Sequence, residues 1–164
     1  MTSTPSPIMC IGDVAVGQEL PPLMRGPLSP MHLMRFSAAI ENWHRIHYDR
    51  DFATGHDELP DLVVSGSWKQ HFVAQLVRQW AGPEGWMTEL GLQYRRVNVV
   101  GETLTAWGRV TDVAPGETYG LVTLDVGILN QNGDESSPGR AVVALPSVPG
   151  PPLPRPLGCE PRRV

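Results

Sequence analysis

From Thr88 to about residue 145 the sequence reads as four long strands, over 88–98, 102–114, 118–130 and 139–145, with breaks at Val100-Gly101, Pro115-Gly116 and Asn132-Gly133. Connections of this kind build hairpins, so the strands form one antiparallel sheet. Several exceed the usual five or six residues, which suits a strongly curved sheet wrapped around a filling.

The filling precedes it. Over Ser67 to Trp80 the residues Trp68, Phe72, Val73, Leu76, Val77 and Trp80 share one helical face, and Lys69, Gln70, Gln75, Arg78 and Gln79 occupy the other. Pro83-Glu84-Gly85 ends this helix. An earlier helix is expected over 29–42, with Ser29 as N-cap, Pro30 at the first helical position and an apolar stripe of Met31, Met34, Ala38 and Ile40. A short strand near Val14–Leu20 would pair at a sheet edge, giving the order β-α-α-β-β-β-β and an α+β class.

At 164 residues the chain supports one domain, placed at 11–146, after an N-terminal extension over 1–10 and before a proline-rich tail over 147–164. Proline lacks the amide donor and fixes φ, so the stretch Pro146 to Pro156 is expected to be extended and dispensable for folding. Thirteen basic against seventeen acidic side chains, without long runs of one sign, argue against a nucleic-acid or anionic-membrane surface. No apolar run approaches the roughly 18 residues of a membrane span, and the first residues lack the pattern of a signal peptide. Cys10 and Cys159 form no redox or metal spacing. A cytoplasmic protein with free thiols is expected.

Chemistry is expected where the first helix runs out, in Asn42-Trp43-His44-Arg45-Ile46-His47-Tyr48-Asp49, a polar turn with two histidines. Asn42, then His47 five positions on, then Asp49 two further, together with the run Leu62-Val63-Val64-Ser65-Gly66-Ser67 before the central helix, resembles the MaoC-like hydratases and dehydratases. Val100-Gly101-Glu102-Thr103 is a weaker likeness. The form of the turn is most similar to the branch containing mesaconyl-C4-CoA hydratases and the type 2 mitochondrial dehydratases. The resemblance covers roughly residues 11–146. It implies a hot-dog fold, a long curved antiparallel sheet wrapped around a central helix.

It also implies reversible hydration of an enoyl thioester, linked to coenzyme A or acyl carrier protein, without a metal or redox cofactor and with coenzyme A entering as part of the substrate. His47 would then carry the proton, as neutral imidazole activating water and as imidazolium returning a proton. Asn42 has no basicity, so its amide would orient the water. Gly66 and Ser67 would present helix N-terminal N–H groups to the developing oxyanion. A homodimer is implied, or a heterodimer with a paralogue. The sequence departs from the commoner pattern at Asn42, an amide where a carboxylate is frequent, at Ser65, where histidine is frequent, and at Ala74, where some hydratases have serine.

His44 and His47 invite a metal reading but lack a third ligand of convincing spacing, and His32, His56 and His71 show no partner in the sequence. Trp43, Tyr48 and Trp68 read either as walls of an acyl tunnel or as core aromatics, and Arg95, Arg96 and Arg109 either as contacts for coenzyme A phosphates or as a solvated face. Two rivals stand beside the hydratase. A hot-dog thioesterase would want an acid on the central helix, which has none; a non-catalytic acyl-CoA-binding subunit is kept open by the amide at Asn42.

Overall fold

A computed structural model describes residues 9–149. Its elements are β1 (Leu23–Arg25), α1 (Pro30–Ala39), α2 (Arg50–Gly55), α3 (Gly66–Ala81), β2 (Trp86–Leu92), β3 (Leu104–Ala114), β4 (Tyr119–Leu129) and β5 (Gly139–Pro146). The strands form one antiparallel sheet in the order β1-β3-β4-β5-β2. α3 packs on β2, β3, β4 and β5, which is the hot-dog arrangement.

The core follows from two periodicities meeting. Alternate residues of β3 (Leu104, Ala106, Val110) and β4 (Val122, Leu124, Val126), and residues of the continuously buried β5 (Ala141, Val143, Leu145), form one core with the α3 stripe of Phe72, Val73, Leu76, Val77 and Trp80. Register shifts between Met87 and Glu89 and between Val110 and Asp112 mark bulges, which bend and twist the strands that carry them. Gly82, at φ 73° and ψ −174°, ends α3 in a positive-φ conformation that glycine adopts without a Cβ clash.

Four expectations need correction. The N-terminal edge strand is Leu23–Arg25, paired with Ala106 to Leu104. The 14–20 stretch runs beside β3 with bonds from Gly17 N–H to the Val110 carbonyl and from Leu20 N–H to the Gly108 carbonyl; Gly17, at φ 90°, interrupts its extension. The strand begun near Thr88 ends at Leu92, because the N–H groups of Gln93, Arg95 and Arg96 turn to the carbonyls of Pro138 and Ser136.

On α1 the buried residues are Leu33 and Ser37, whereas Met31 is 69% exposed. Met31-Met34-Ala38 and Leu33-Ser37 are both rows at helical spacing, so periodicity alone does not choose between them. The last correction is Lys69, which is buried although it was placed on the solvated face of the central helix. One element was not foreseen: α2, six residues started by the Asp49 carboxylate accepting from Phe52 N–H.

Residues 1–8 and 150–164, and with them Cys159 and most of the tail, lie outside the described residues. Cys10 is buried and free. No helix among the described residues is long and apolar enough to cross a membrane.

Leu76 is buried between α3 and the sheet. Leu76→Ala is expected to cost about 2–5 kcal/mol, seen as a fall in the urea midpoint at unchanged m-value.

Candidate active site

The turn after α1 is wired by short-range hydrogen bonds. Glu41 takes a left-handed φ of 54°, Asn42 N–H bonds back to the Ser37 carbonyl at 2.9 Å, and the Asn42 Oδ1 accepts from His44 N–H at 3.2 Å. His44 Nδ1 then accepts from Ile46 N–H, starting a single 3₁₀ turn over Arg45–His47. Asp49 closes the segment: one oxygen caps α2 and the other takes the Arg45 guanidinium at 2.6 Å, with Arg45 also lying over the Phe52 ring. The Phe52 N–H and then Arg45 hold the Asp49 carboxyl below its ordinary range. Asp49 is therefore committed to local architecture.

This wiring turns His47 inward, where it is 7% exposed, and its Nδ1 lies 2.8 Å from the Val63 carbonyl. A carbonyl oxygen accepts and does not donate, so Nδ1 carries a proton, and in the neutral ring the lone pair is on Nε2. Val63 is held in turn by its own N–H to the Ile46 carbonyl, while Val64 N–H bonds to Asn98 and Leu62 accepts from Val100 N–H. The apolar run before the central helix thus fixes both His47 and the helix start.

Ser65 is the N-cap of α3 but makes no side-chain cap. Among the described residues the N–H groups of Gly66, Ser67 and Trp68 find no acceptor, which leaves three donors at the positive end of a sixteen-residue helix. The Tyr94 ring lies against Gly66, 3.2 Å from where a Cβ would stand, and partial burial raises its phenol pKa.

A cavity of about 310 Å³ opens at this junction, lined by Ile46, His47, Gly66, Lys69, Tyr94 and Arg95 among others. A larger crevice of about 450 Å³ lies toward the other end of α3, between Arg78 and Trp86, away from His47. Of the four residues given site roles in the sequence, His47 and Gly66 share the smaller cavity, which Arg95 and Arg96 also line. Asn42 and Ser67 do not line it: Asn42 is half-buried with its carboxamide oxygen engaged by His44, and the Ser67 carbonyl accepts from His71.

The His44 and His47 rings are 6.1 Å apart, and no group of three or more His, Cys, Asp or Glu side chains gathers among the described residues. Trp43 is exposed, so it belongs to neither core nor cavity; its carbonyl accepts from the Tyr48 hydroxyl at 2.7 Å. Trp68 packs on Phe72. The histidines without a partner in the sequence each have one in space. His32 accepts from Ser29 N–H at the start of α1, His56 bonds Asp57, and His71 bonds Ser67.

Comparison with known proteins bears on this geometry. The family described as hydroxyacyl-thioester dehydratase type 2 matches residues 21–102, which include the His47 turn and α3. The chain belongs to the MaoC-like hydratase and dehydratase family. It is similar in structure to the ChsH1-ChsH2 complex from Mycobacterium tuberculosis, at 25% identity and TM-score 0.71 over 80% of this chain and 98% of that one. The (R)-hydratase from A. caviae involved in PHA biosynthesis aligns at 25% identity and TM-score 0.73 over 81% and 98%. The fold alone is shared with R-hydratase PhaJ1 from Pseudomonas aeruginosa, at 18% identity and TM-score 0.74 over 88% and 93%. No curated protein matches in sequence.

Within this family frame, the residue that sequence reasoning missed is Lys69. It is 2% exposed, and its Nζ donates to the Arg96 carbonyl at 2.8 Å. Burial lowers its pKa to about 8, with Glu102 acting in the opposite sense. The signal was present: Lys69 lies three residues before Phe72, four before Val73 and seven before Leu76, on the apolar stripe itself.

A lysine whose folded pKa lies below its unfolded value binds fewer protons when folded, so its contribution to stability rises with pH between about 8 and 10.5. The rise is of order 3 kcal/mol at most, since each pKa unit is worth about 1.4 kcal/mol. Urea denaturation of wild type and Lys69→Met at pH 7.5 and pH 10 should show the gap between them narrowing from an excess of the methionine variant. An unchanged gap would mean that Lys69 titrates normally.

Proposed function

We propose that this chain catalyses the reversible hydration of an enoyl thioester, carried on coenzyme A or acyl carrier protein, and the dehydration of the matching 3-hydroxyacyl thioester. The observation that carries the reading is His47: a buried imidazole with its proton pinned on Nδ1, at a cavity beside the N-terminus of α3.

In the hydration direction Nε2 takes a proton from water as the water oxygen bonds to Cβ. The Cα–Cβ π pair moves toward the thioester carbonyl, whose oxygen gains negative charge. The free N–H group at Gly66, which lines the cavity, stabilises that oxygen, and a donor of this kind is worth on the order of 10² to 10³ in rate. The imidazolium then returns a proton to Cα, and His47 is regenerated. Asn42 acts from the edge of the site: its oxygen shapes the turn through His44, and its NH₂ donors remain for water. The scheme uses neither a metal nor a redox cofactor, and coenzyme A enters with the substrate.

His47→Ala should lower kcat by at least about 10² in an enoyl-CoA hydration assay while leaving the fold intact. Asn42→Asp should retain activity, because a carboxylate still accepts from His44 N–H; Asn42→Ala should slow turnover. Hydration that survives His47→Ala would sink the mechanism.

A second reading is a subunit that binds the acyl thioester and completes a partner's site. Asn42 lying off the cavity favours it, and so does likeness to a structure described as a two-component complex. A wild-type protein that binds enoyl-CoA yet hydrates none would select it. The thioesterase reading is weaker, since α3 carries no acid.

The sheet ends on β2, and among the described residues no further strand pairs with its outer edge. Such edges invite a second strand, so a dimer is expected, of like chains or with a paralogue. Sedimentation should give a mass near twice 18.0 kDa; an active monomer at micromolar concentration would refute this.

A further inference from the structure

The Lys69 ammonium is short of partners. Nζ has three hydrogens to donate, and among the described residues one acceptor is engaged, the Arg96 carbonyl at 2.8 Å. No carboxylate among those residues lies within ion-pair distance. Glu102 is felt electrostatically, but its oxygens accept from Asn98 Nδ2 at 2.7 Å and Val99 N–H at 3.4 Å. A cation buried in this way is costly unless an opposite charge meets it.

The cavity that Lys69 lines supplies no such charge at rest. Its other lining residues include Arg95 and Arg96 but no acid, and His47 and Tyr94 add no negative charge. On α3, Gly66 and Lys69 both line it, three residues apart and therefore on one helical face, roughly 4.5 Å from each other along the axis. The free Gly66 N–H and the ammonium thus open onto one volume, which His47 borders from the turn after α1.

Hydration creates the missing anion. As water adds at Cβ, the π pair moves onto the thioester oxygen, which is neutral in the bound substrate and negative in the enolate. We propose that Lys69 is a catalytic residue whose Nζ donates to this enolate oxygen beside the Gly66 N–H. The inference rests on the hydration reading. The ammonium keeps its hydrogens throughout, so the His47 cycle is unaltered: one proton leaves water and one reaches Cα. A pKa of about 8 keeps the group mainly charged near neutral pH. Because its full counter-charge arises only as the reaction proceeds, the ammonium favours the transition state over the bound substrate and acts on kcat more than on affinity.

Two measurements test this on wild type, Lys69→Met, Lys69→Gln and Lys69→Arg, each checked for folding by circular dichroism. The first is hydration of crotonyl-, hexenoyl- and octenoyl-CoA. Lys69→Met should lower kcat about 10²-fold or more with little change in KM, as for loss of an oxyanion donor. Lys69→Gln, a donor without the charge, should also be slow, and Lys69→Arg should keep more activity than either. An unchanged kcat in Lys69→Met, or a loss confined to KM, overturns the proposal.

The second needs no turnover. Acetoacetyl-, 3-oxohexanoyl- and 3-oxooctanoyl-CoA have no double bond to hydrate, yet they ionise to enolates with an absorption band of their own. At neutral pH the ratio of enolate to keto form in the bound ligand should be at least about tenfold higher on wild type than on Lys69→Met, since an opposite charge in contact moves a pKa by about 1–3 units. Lys69→Arg should recover part of that ratio, and free coenzyme A should bind all four proteins alike. An enolate band that survives Lys69→Met overturns the proposal. So does a fall in free coenzyme A affinity in the variants, which would give Lys69 to the carrier's phosphates. Failure of the hydration reading looks different: the Lys69-dependent enolate band persists while wild type hydrates none of the enoyl-CoAs.

Discussion

One hydrogen bond organises the functional end of this molecule: the His47 ring donating from Nδ1 to the Val63 carbonyl. It joins the turn that follows α1 to the apolar segment that launches α3, two stretches that sequence separates by sixteen residues. The bond does three things together. It satisfies a polar atom that burial would otherwise leave at a cost of about 1–3 kcal/mol, sets the tautomer, and positions the basic nitrogen relative to the free amides of the helix. Everything else in the turn supports it. Asn42 and His44 spend acceptors on neighbouring backbone N–H groups and Asp49 on Phe52 N–H and the Arg45 guanidinium, which leaves His47 as the residue of the motif committed inward.

The sheet makes that arrangement rigid. α3 presents a continuous buried stripe to β3, β4 and β5, so its N-terminus is fixed by apolar packing rather than by a cap, and Ser65 supplies none. A side-chain cap would fill the donors that a reacting oxygen needs. Leaving them open costs helix stability at one end, and the packing of Phe72, Val73 and Leu76 further along offsets it.

The sequence disclosed what depends on regular repetition. Strand alternation in β3 and β4, the apolar stripe of α3, and the Ser29-Pro30 start of α1 all reflect local periods or capping chemistry that a single chain displays. The central residue of the site, His47, was legible from the motif and its spacing, and Gly66 from its place before a helix. What stayed hidden depends on partners distant in sequence. Gln93 to Asn98 continue a strand-like pattern, yet their amides turn to Pro138 and Ser136, and that departure is what folds Tyr94 onto Gly66. The partners of His32, His56 and His71 and the buried row of α1 were likewise settled by tertiary placement.

Lys69 shows how a residue's type and its position can disagree, and why position wins. By type it belongs with Gln70 and Arg78 in water; by spacing it falls on the stripe of Phe72, Val73 and Leu76, and a rigid helix cannot rotate one residue away from its row. Lysine tolerates the placement because its four-carbon stem packs as an apolar side chain while its head seeks a polar exit. Here the exit is the Arg96 carbonyl and the His47 cavity rather than bulk water. A leucine at this position would complete the stripe and remove the desolvation cost. The ammonium therefore contributes less to the stability of the fold than an apolar side chain of similar size would.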